Sequence, residues 1–159
     1  ILKDGELDLD EDLLDDLDWV VASIHYDLDL GESKNTDRFV RAIESGVVHA
    51  IGHPFNRKIG SREGIRFDFD TVVQACVEND VVLEINAQPD RLDLPDTWCQ
   101  AAREAGARFQ IATDAHETDS LDHMELGLLV ARRGWLRAKD VINTRTAKQL
   151  RDHVEGRRS

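Results

Sequence analysis

Val81-Val82-Leu83-Glu84-Ile85-Asn86 is a run of β-branched and aliphatic residues that ends at the loop Ala87-Gln88-Pro89-Asp90. Its parity decides the fold. Leu83 and Ile85 alternate with Glu84 and Asn86, so a strand here has one apolar and one polar side. Residues 108–112 repeat the pattern, Phe109 and Ile111 alternating with Gln110 and Ala112, and Ile24 alternates with Ser23 and His25. A parallel sheet covered by helices on both faces is apolar on both sides. Strands with one polar or small face suit a barrel whose interior points at a site.

Working outward, the same grammar recurs along the chain. Runs at 19–24, 47–51, 81–86 and 108–112 are each followed by a polar loop and an amphipathic stretch, at 36–44, 68–78, 96–105 and 120–133. A weaker fifth unit at 141–142 precedes a last helix at 146–154, and residues 10–16 read as a helix end or turn. Gly46, Asn79-Asp80 and Gly106 stand where helices should close before the next strand. Strands alternating with helices predict βα units on a parallel sheet. A full eight-unit barrel takes about 250 residues, so a chain of 159 residues holds part of one.

Composition removes several classes. The chain is 41% hydrophobic and 33% charged, the balance of a folded domain rather than a disordered one. No apolar run approaches the roughly 20 residues of a membrane helix, and no signal-peptide pattern opens the sequence. Cys76 and Cys99 form neither a metal-type pair nor a disulfide framework, so a reducing, cytoplasmic setting is expected. The net charge is −12, which weakens the case for a nucleic-acid partner without excluding one. The acid is mostly Asp (21 Asp, 11 Glu) and the base mostly Arg (15 Arg, 5 Lys). Carboxylate excess with scarce lysine is the balance expected of a halophile, where salt screens self-repulsion, or simply of an acidic surface; composition does not separate the two.

Each strong strand ends in a polar or metal-capable side chain. His25 ends the first, His53 follows the second in Gly52-His53-Pro54, and Asn86 ends the third. Asp114 and His116 follow the fourth in Thr113-Asp114-Ala115-His116. Catalytic groups of barrels sit at that C-terminal rim, so His25, His53, Asp114 and His116 are expected to converge there. Imidazoles with carboxylates suit Zn²⁺ or Mn²⁺, ions that activate water and stabilise charge on phosphoryl oxygens. A lone histidine at a strand end is ordinarily a hydrogen-bonded loop residue; several strands delivering one at the same end favour a metal.

In combination these segments resemble a known family. Ala22-Ser23-Ile24-His25, Gly52-His53-Pro54 with Arg57, Glu84-Ile85-Asn86-Ala87 with Arg91-Leu92-Asp93-Leu94, and Thr113-Asp114-Ala115-His116 occur in the order seen in PHP (polymerase and histidinol phosphatase) domains. Ala131-Arg132-Arg133-Gly134-Trp135-Leu136, followed by Val141-Ile142-Asn143-Thr144, is similar to the C-terminal PHP domain of bacterial and archaeal family X DNA polymerases. The resemblance implies an α/β fold, a distorted (β/α)₇ TIM-like barrel with a trinuclear divalent-metal site that hydrolyses phosphoesters. In those polymerases it implies 3′–5′ exonuclease and DNA end-processing activity beside an upstream polymerase domain. Carried over, His25 and His53 resemble ligands of one metal, Asp114 of a second and His116 of a third. The family's opening His-x-His motif, its next histidines and a bridging Glu have no counterpart here, so residues 1–159 read as a partial PHP domain without its first strands. Two other activities compete: a phosphatase on a small monoester such as histidinol phosphate, and a structural PHP domain without turnover.

The remaining expectations are residue by residue. Arg57, Asn86 and Arg91 are candidates for holding substrate, the arginines by clamping phosphate bidentately and Asn86 alternatively by capping its own loop. Glu84, inward by parity, is a candidate for orienting a ligand or for a buried, paired acid. His49 is expected to pack inside the barrel, and His123 and His153 to lie on the surface. Trp19 and Trp135 are expected in the core or between helices. Arg132-Arg133 and Arg157-Arg158 are expected as solvated helix ends.

Overall fold

The computed structural model describes residues 1–157; the reading of Arg157-Arg158 concerns side chains outside the described part. In chain order the elements are α1 (Glu11–Asp15), β1 (Val21–Ala22), α2 (Glu32–Glu44), β2 (Ala50–Ile51), α3 (Phe69–Glu78), β3 (Val82–Asn86), α4 (Asp96–Glu104), β4 (Phe109–Ala112), α5 (Met124–Arg133) and α6 (Ala147–Arg157). The strands form one parallel sheet in the order β1-β2-β3-β4, with Val21 opposite Ala50, Ala50 opposite Val82 and Glu84 opposite Gln110. Each new strand is added on the same side of the last. With right-handed crossovers that order puts every connecting helix on one face, and it contains no reversal of the kind that defines a doubly wound sheet. The mixed α/β architecture is compatible with a partial barrel.

The helices follow from their patterning. In α2 the buried residues Asn35, Arg38, Phe39, Ala42 and Ile43 recur every three to four positions, which is one helical face. α3 starts where Asp68 accepts a bond from the Thr71 N–H at 3.2 Å, an N-cap that satisfies an otherwise orphan donor. Phe39 and Ile43 of α2, Val72, Val73 and Cys76 of α3, Cys99 and Ala102 of α4, and Val130 of α5 form one core with Ile51, Leu83, Ile85, Phe109 and Ile111 of the sheet. Each buried aliphatic side chain there contributes about 1.5–3 kcal/mol. On the other face Ala50 and Val82 pack with Ile142, Trp19 and Leu150. Beyond them the polar row begins: Gln110 donates to Glu84 at 3.4 Å, and Gly52 lies against Ser23 Oγ and Glu84 Oε2.

Several expected elements differ. The first two strands are two residues each, because only the middle of the first apolar run and the end of the second join the ladder. The fifth unit is not a strand: Val141 makes a single parallel bridge to Phe109, and Ile142–Thr144 is a 3₁₀ turn held by Asn143, whose side chain bonds both the N–H and the C=O of Ile111 (2.8 and 3.0 Å). The stretch at 120–133 divides into a 3₁₀ turn, Thr118–His123, and α5. Trp135 is 70% exposed; it takes a left-handed conformation (φ 59°) just after α5 while Leu136 turns toward the core. The His153 side chain is largely covered rather than superficial, its ring 3.1 Å from Asp80 and near Trp19.

Gly127 fixes how closely α5 sits on the sheet. A Cβ there would lie 2.5 Å from Ile111 Cγ2 and 3.0 Å from the Ala87 Cβ. Gly127→Ala should therefore lower stability by about 1–2 kcal/mol in a urea titration, because overpacking outweighs the roughly 1 kcal/mol of helix propensity gained. An unchanged or higher midpoint would show that Ile111 yields freely.

Candidate functional site

The site lies at the C-terminal ends of the strands. His25 follows β1 and is exposed; His53 follows β2 and is buried, with its ring centroid 5.2 Å from that of His25. His53 and Asp114 both have positive φ (28° and 51°), as do the rim-loop residues Asn56 and Leu92. Non-glycine residues in that region are costly and gather where a function or a dense hydrogen-bond network holds them. Asp114 follows β4. Its carboxylate stands 3.6 Å from Arg91 Nε, and its carbonyl accepts from Gln88 Nε2 at 2.9 Å and meets His116 Nδ1 at 2.8 Å.

The four expected ligands thus arrive as two pairs on one rim. His25 stands with His53, and Asp114 with His116. Among the described residues no group of three or more histidine, cysteine or acidic side chains gathers around a common point, so the expected single convergence is not formed. Arg91 stands electrostatically between the pairs: its charge acts on His25, His53 and Asp114. Burial, reinforced by Arg91, pulls His53 down to about 4. His25 is lowered too, by burial first and then by the N-terminus and Arg91. Both imidazoles are neutral near pH 7, the form that binds a metal. His53 Nδ1 is buried and meets no hydrogen-bond partner among the described residues, an orphaned lone pair or N–H of the kind a ligand resolves. The donor chemistry at His25 and His53 fits a divalent transition ion, as two of the three or four protein ligands such an ion takes.

The substrate candidates are already engaged in part. Asn86 is fully buried; its amide donates to Glu84 at 2.7 Å and its oxygen accepts from the Gln88 N–H at 3.1 Å, so it caps its own loop. Arg57 donates to the carbonyls of Arg91 and Leu92 at 2.7 and 2.6 Å, tying one rim loop to the next. Arg91 remains half-buried and reaches Asn56 Oδ1 at 3.0 Å. With Lys58, Gln88, Asp90, Asp114 and His116 it lines a rim cavity of about 340 Å³. His49 is buried, stacks near Trp19 and accepts from the Val20 N–H through Nδ1, as packing required.

Two buried groups escaped the sequence reading. Asp93 is fully buried; it accepts from the Phe55 N–H at 3.2 Å and clamps the loop after His53 to the loop after β3. Burial pushes its carboxyl up to about 6. Asn56 is buried too and accepts from both Arg62 (2.7 Å) and Arg91 (3.0 Å). Nothing local marks either one, since an acid or amide in a loop ordinarily faces water.

Glu84 carries a consequence for pH. Burial raises its carboxyl from the ordinary 4.5 to about 7, against the lowering effect of Asn86. The folded state therefore holds a proton that the unfolded chain releases, and stability falls as pH rises from about 4.5 to about 7. Glu84→Gln should remove up to about 3 kcal/mol of that fall. In chelator the variant should exceed the wild type at pH 8 and match it near pH 4.5. Parallel pH profiles for the two proteins would refute this.

Two kinds of known protein are similar to this chain. No model of a protein family matches the chain. It is 39% identical over 150 residues to the DNA polymerase/3′-5′ exonuclease PolX of Bacillus subtilis (strain 168), covering 94% of this chain and 26% of that protein. It is 30% identical over 163 residues to a probable phosphatase of Photobacterium profundum, covering 97% of this chain and 63% of that protein. It is also 30% identical over 130 residues to the probable phosphatase YcdX of Escherichia coli O127:H6, covering 77% of this chain and 51% of that protein. The chain thus spans about a quarter of the polymerase and half to nearly two thirds of the phosphatases.

Proposed function

We propose that the chain is the back part of a PHP-type phosphoesterase domain that processes DNA 3′ ends, as the name of its polymerase relative suggests. The observation that carries this reading is the rim: the neutral pair His25 and His53, with a buried Nδ1, and the pair Asp114 and His116 follow strands of one sheet at the same end, with Arg91 beside Asp114 and its charge felt by both histidines, in a chain 39% identical to PolX over 94% of its length. Glu84, Gln110 and Ser23 form a polar row on the sheet face opposite the connecting helices, which suits the inside of a larger (β/α)₇ barrel completed by further strands. His25 and His53 would hold one divalent ion, Zn²⁺ or Mn²⁺, and Asp114 and His116 would contribute to others of a trinuclear set.

Such ions supply an activated water and neutralise charge developing on phosphoryl oxygens. The chain's own residues do the rest. Arg91, half-buried beside Asp114, is placed to hold a nonbridging phosphate oxygen. Arg57 orients it by gripping its backbone carbonyl. Asn86 and Gln88 hold the Asp114 loop through a chain of bonds from Glu84.

A phosphatase acting on a small monoester is the second reading, favoured by the probable-phosphatase relatives and by the modest 340 Å³ of the rim cavity. The two separate in one assay. A longer polypeptide that carries the chain together with the remainder of the domain is given 5′-labelled DNA and a phosphate monoester, each with Mn²⁺, with Zn²⁺ and with chelator. Metal-dependent shortening of the DNA is the expected result. Hydrolysis of the monoester with DNA ends untouched would replace the proposal with the phosphatase reading, and no hydrolysis under any metal would favour a structural role.

A further inference from the structure

Between β2 and α3 the chain makes a tight hairpin: Arg57 at its base ties two rim loops together, while its apex is used by neither the ligand nor the substrate assignments. Lys58 and Arg62 pair as an antiparallel bridge, the Lys58 N–H donating to the Arg62 carbonyl at 2.9 Å and the Arg62 N–H to the Lys58 carbonyl at 2.8 Å. Gly60 at the apex has φ 78°, with open space where a Cβ would stand. Beside it Ile59 is 52% exposed, an aliphatic side chain in water at the tip of a turn. The segment Arg57-Lys58-Ile59-Gly60-Ser61-Arg62 carries three basic residues and no acid, in a chain whose net charge is −12.

The hairpin is held rigidly against the rim. Arg62 grips Asn56 through its carbonyl (2.9 Å) and Oδ1 (2.7 Å), and Arg91 reaches the same Oδ1. The Ile59 N–H donates to the Asp90 carbonyl at 2.6 Å, and Lys58 Nζ lies 3.2 Å from the Asp90 carboxylate. Lys58 also lines the rim cavity that contains Asp114 and His116. A basic arm with an apolar tip, fixed beside a phosphoester site, has the chemistry of the wedges that unstack bases: cations neutralise phosphates while an aliphatic side chain covers the face of an exposed base.

We infer that hairpin 57–62 is a DNA-end wedge: Lys58 meets the phosphate backbone and Ile59 packs on the terminal base of a duplex, separating it from its partner so that the 3′ strand enters the rim. The inference rests on the DNA-end reading above and assigns how that substrate is recognised. It also accounts for an exposed isoleucine that contributes nothing to the core.

Binding tests it without requiring turnover. The chain is titrated into a blunt duplex with 2-aminopurine as its 3′-terminal base, and into the same duplex with the probe at its centre. Fluorescence should rise for the terminal probe only. Ile59→Ser should abolish the rise and weaken binding by about tenfold, in line with the apolar surface removed. Lys58→Ala should weaken binding of all duplexes and lower the slope of log affinity against log salt by about one. Both positions are at the surface, and circular dichroism of the variants confirms folding. An Ile59→Ser protein with the wild-type signal, or a wild type that leaves the terminal probe unchanged, would overturn the wedge. A terminal signal lost in Ile59→Ser supports it even if the longer polypeptide hydrolyses nothing, a result that would instead count against the phosphoesterase reading.

Discussion

Replacing Arg38 with methionine should lower the folding stability by about 4 kcal/mol, read as the shift of a urea midpoint at constant slope. Arg38 is 1% exposed, yet it stands on the inner face of α2 among apolar residues. Its guanidinium donates to the carbonyls of Leu2 (2.8 Å), Asp27 (2.9 Å), Ile1 (3.1 Å) and Tyr26 (3.1 Å), and to Asn35 Oδ1 (3.3 Å). One side chain thus fastens the first residues and the loop after β1 to α2. Methionine fills similar volume but donates nothing, so buried carbonyls are left without a partner or must admit water. Arg38→Lys should recover little, because an ammonium has three donors at a single point and cannot span a planar fork. Arg41→Met is the control: Arg41 pairs with Glu6 in solvent at 2.7 Å and should change stability by less than about 1 kcal/mol. If Arg38→Met unfolds within about 1 kcal/mol of the wild type, the anchoring role is wrong.

The second large effect is on catalysis. In the polypeptide that carries the remainder of the domain, His53→Ala and Asp114→Ala should each reduce phosphoester hydrolysis at least about hundredfold and reduce the bound metal measured by elemental analysis. The two changes act on different pairs, so metal content should fall in part for each and further for both. His49→Ala gives the contrast. That imidazole is buried against Trp19 and accepts from the Val20 N–H, so its loss should lower thermal stability while metal content is kept. Full metal content and activity in His53→Ala would remove the ligand assignment, and with it the main support for a phosphoesterase.

The parts of this molecule that were legible in the sequence are the parts set by local pattern. Alternation in Leu83-Glu84-Ile85-Asn86 and Phe109-Gln110-Ile111 was enough for the parallel strands and their unequal faces, and the register now shows Glu84 opposite Gln110. Gly46, Asp80 and Gly106 do adopt the left-handed conformation that helix ends require. Position at strand ends also marked His25, His53, Asp114 and His116 as rim residues. What stayed hidden depends on partners far along the chain. Nothing local in the sequence sets Arg38, Asn56 or Asp93 apart as buried anchors, and only the fold brings carbonyls and N–H groups from distant loops around them. Trp135 failed for the opposite reason: a large apolar side chain next to a helix was expected to be buried, but Leu136 takes the inward place. The division of the four rim residues into two pairs could not be read from strand ends either, because it depends on the courses of the loops that follow them.

The sequential strand order bears on how the molecule is made. β1 pairs with β2, β2 with β3 and β3 with β4, so every ladder joins segments separated by one helix and its loops. Closing such short loops loses less chain entropy than pairing the two ends of a domain, and topologies of this kind fold comparatively fast. Growth can also proceed unit by unit as the polypeptide leaves the ribosome, each new strand docking on an edge already waiting for it. The same order makes unfolding directional. β1, at the margin with Val21 46% exposed, has a ladder on one side only, and its amides should exchange with deuterium before those of β3, which is hydrogen-bonded on both sides.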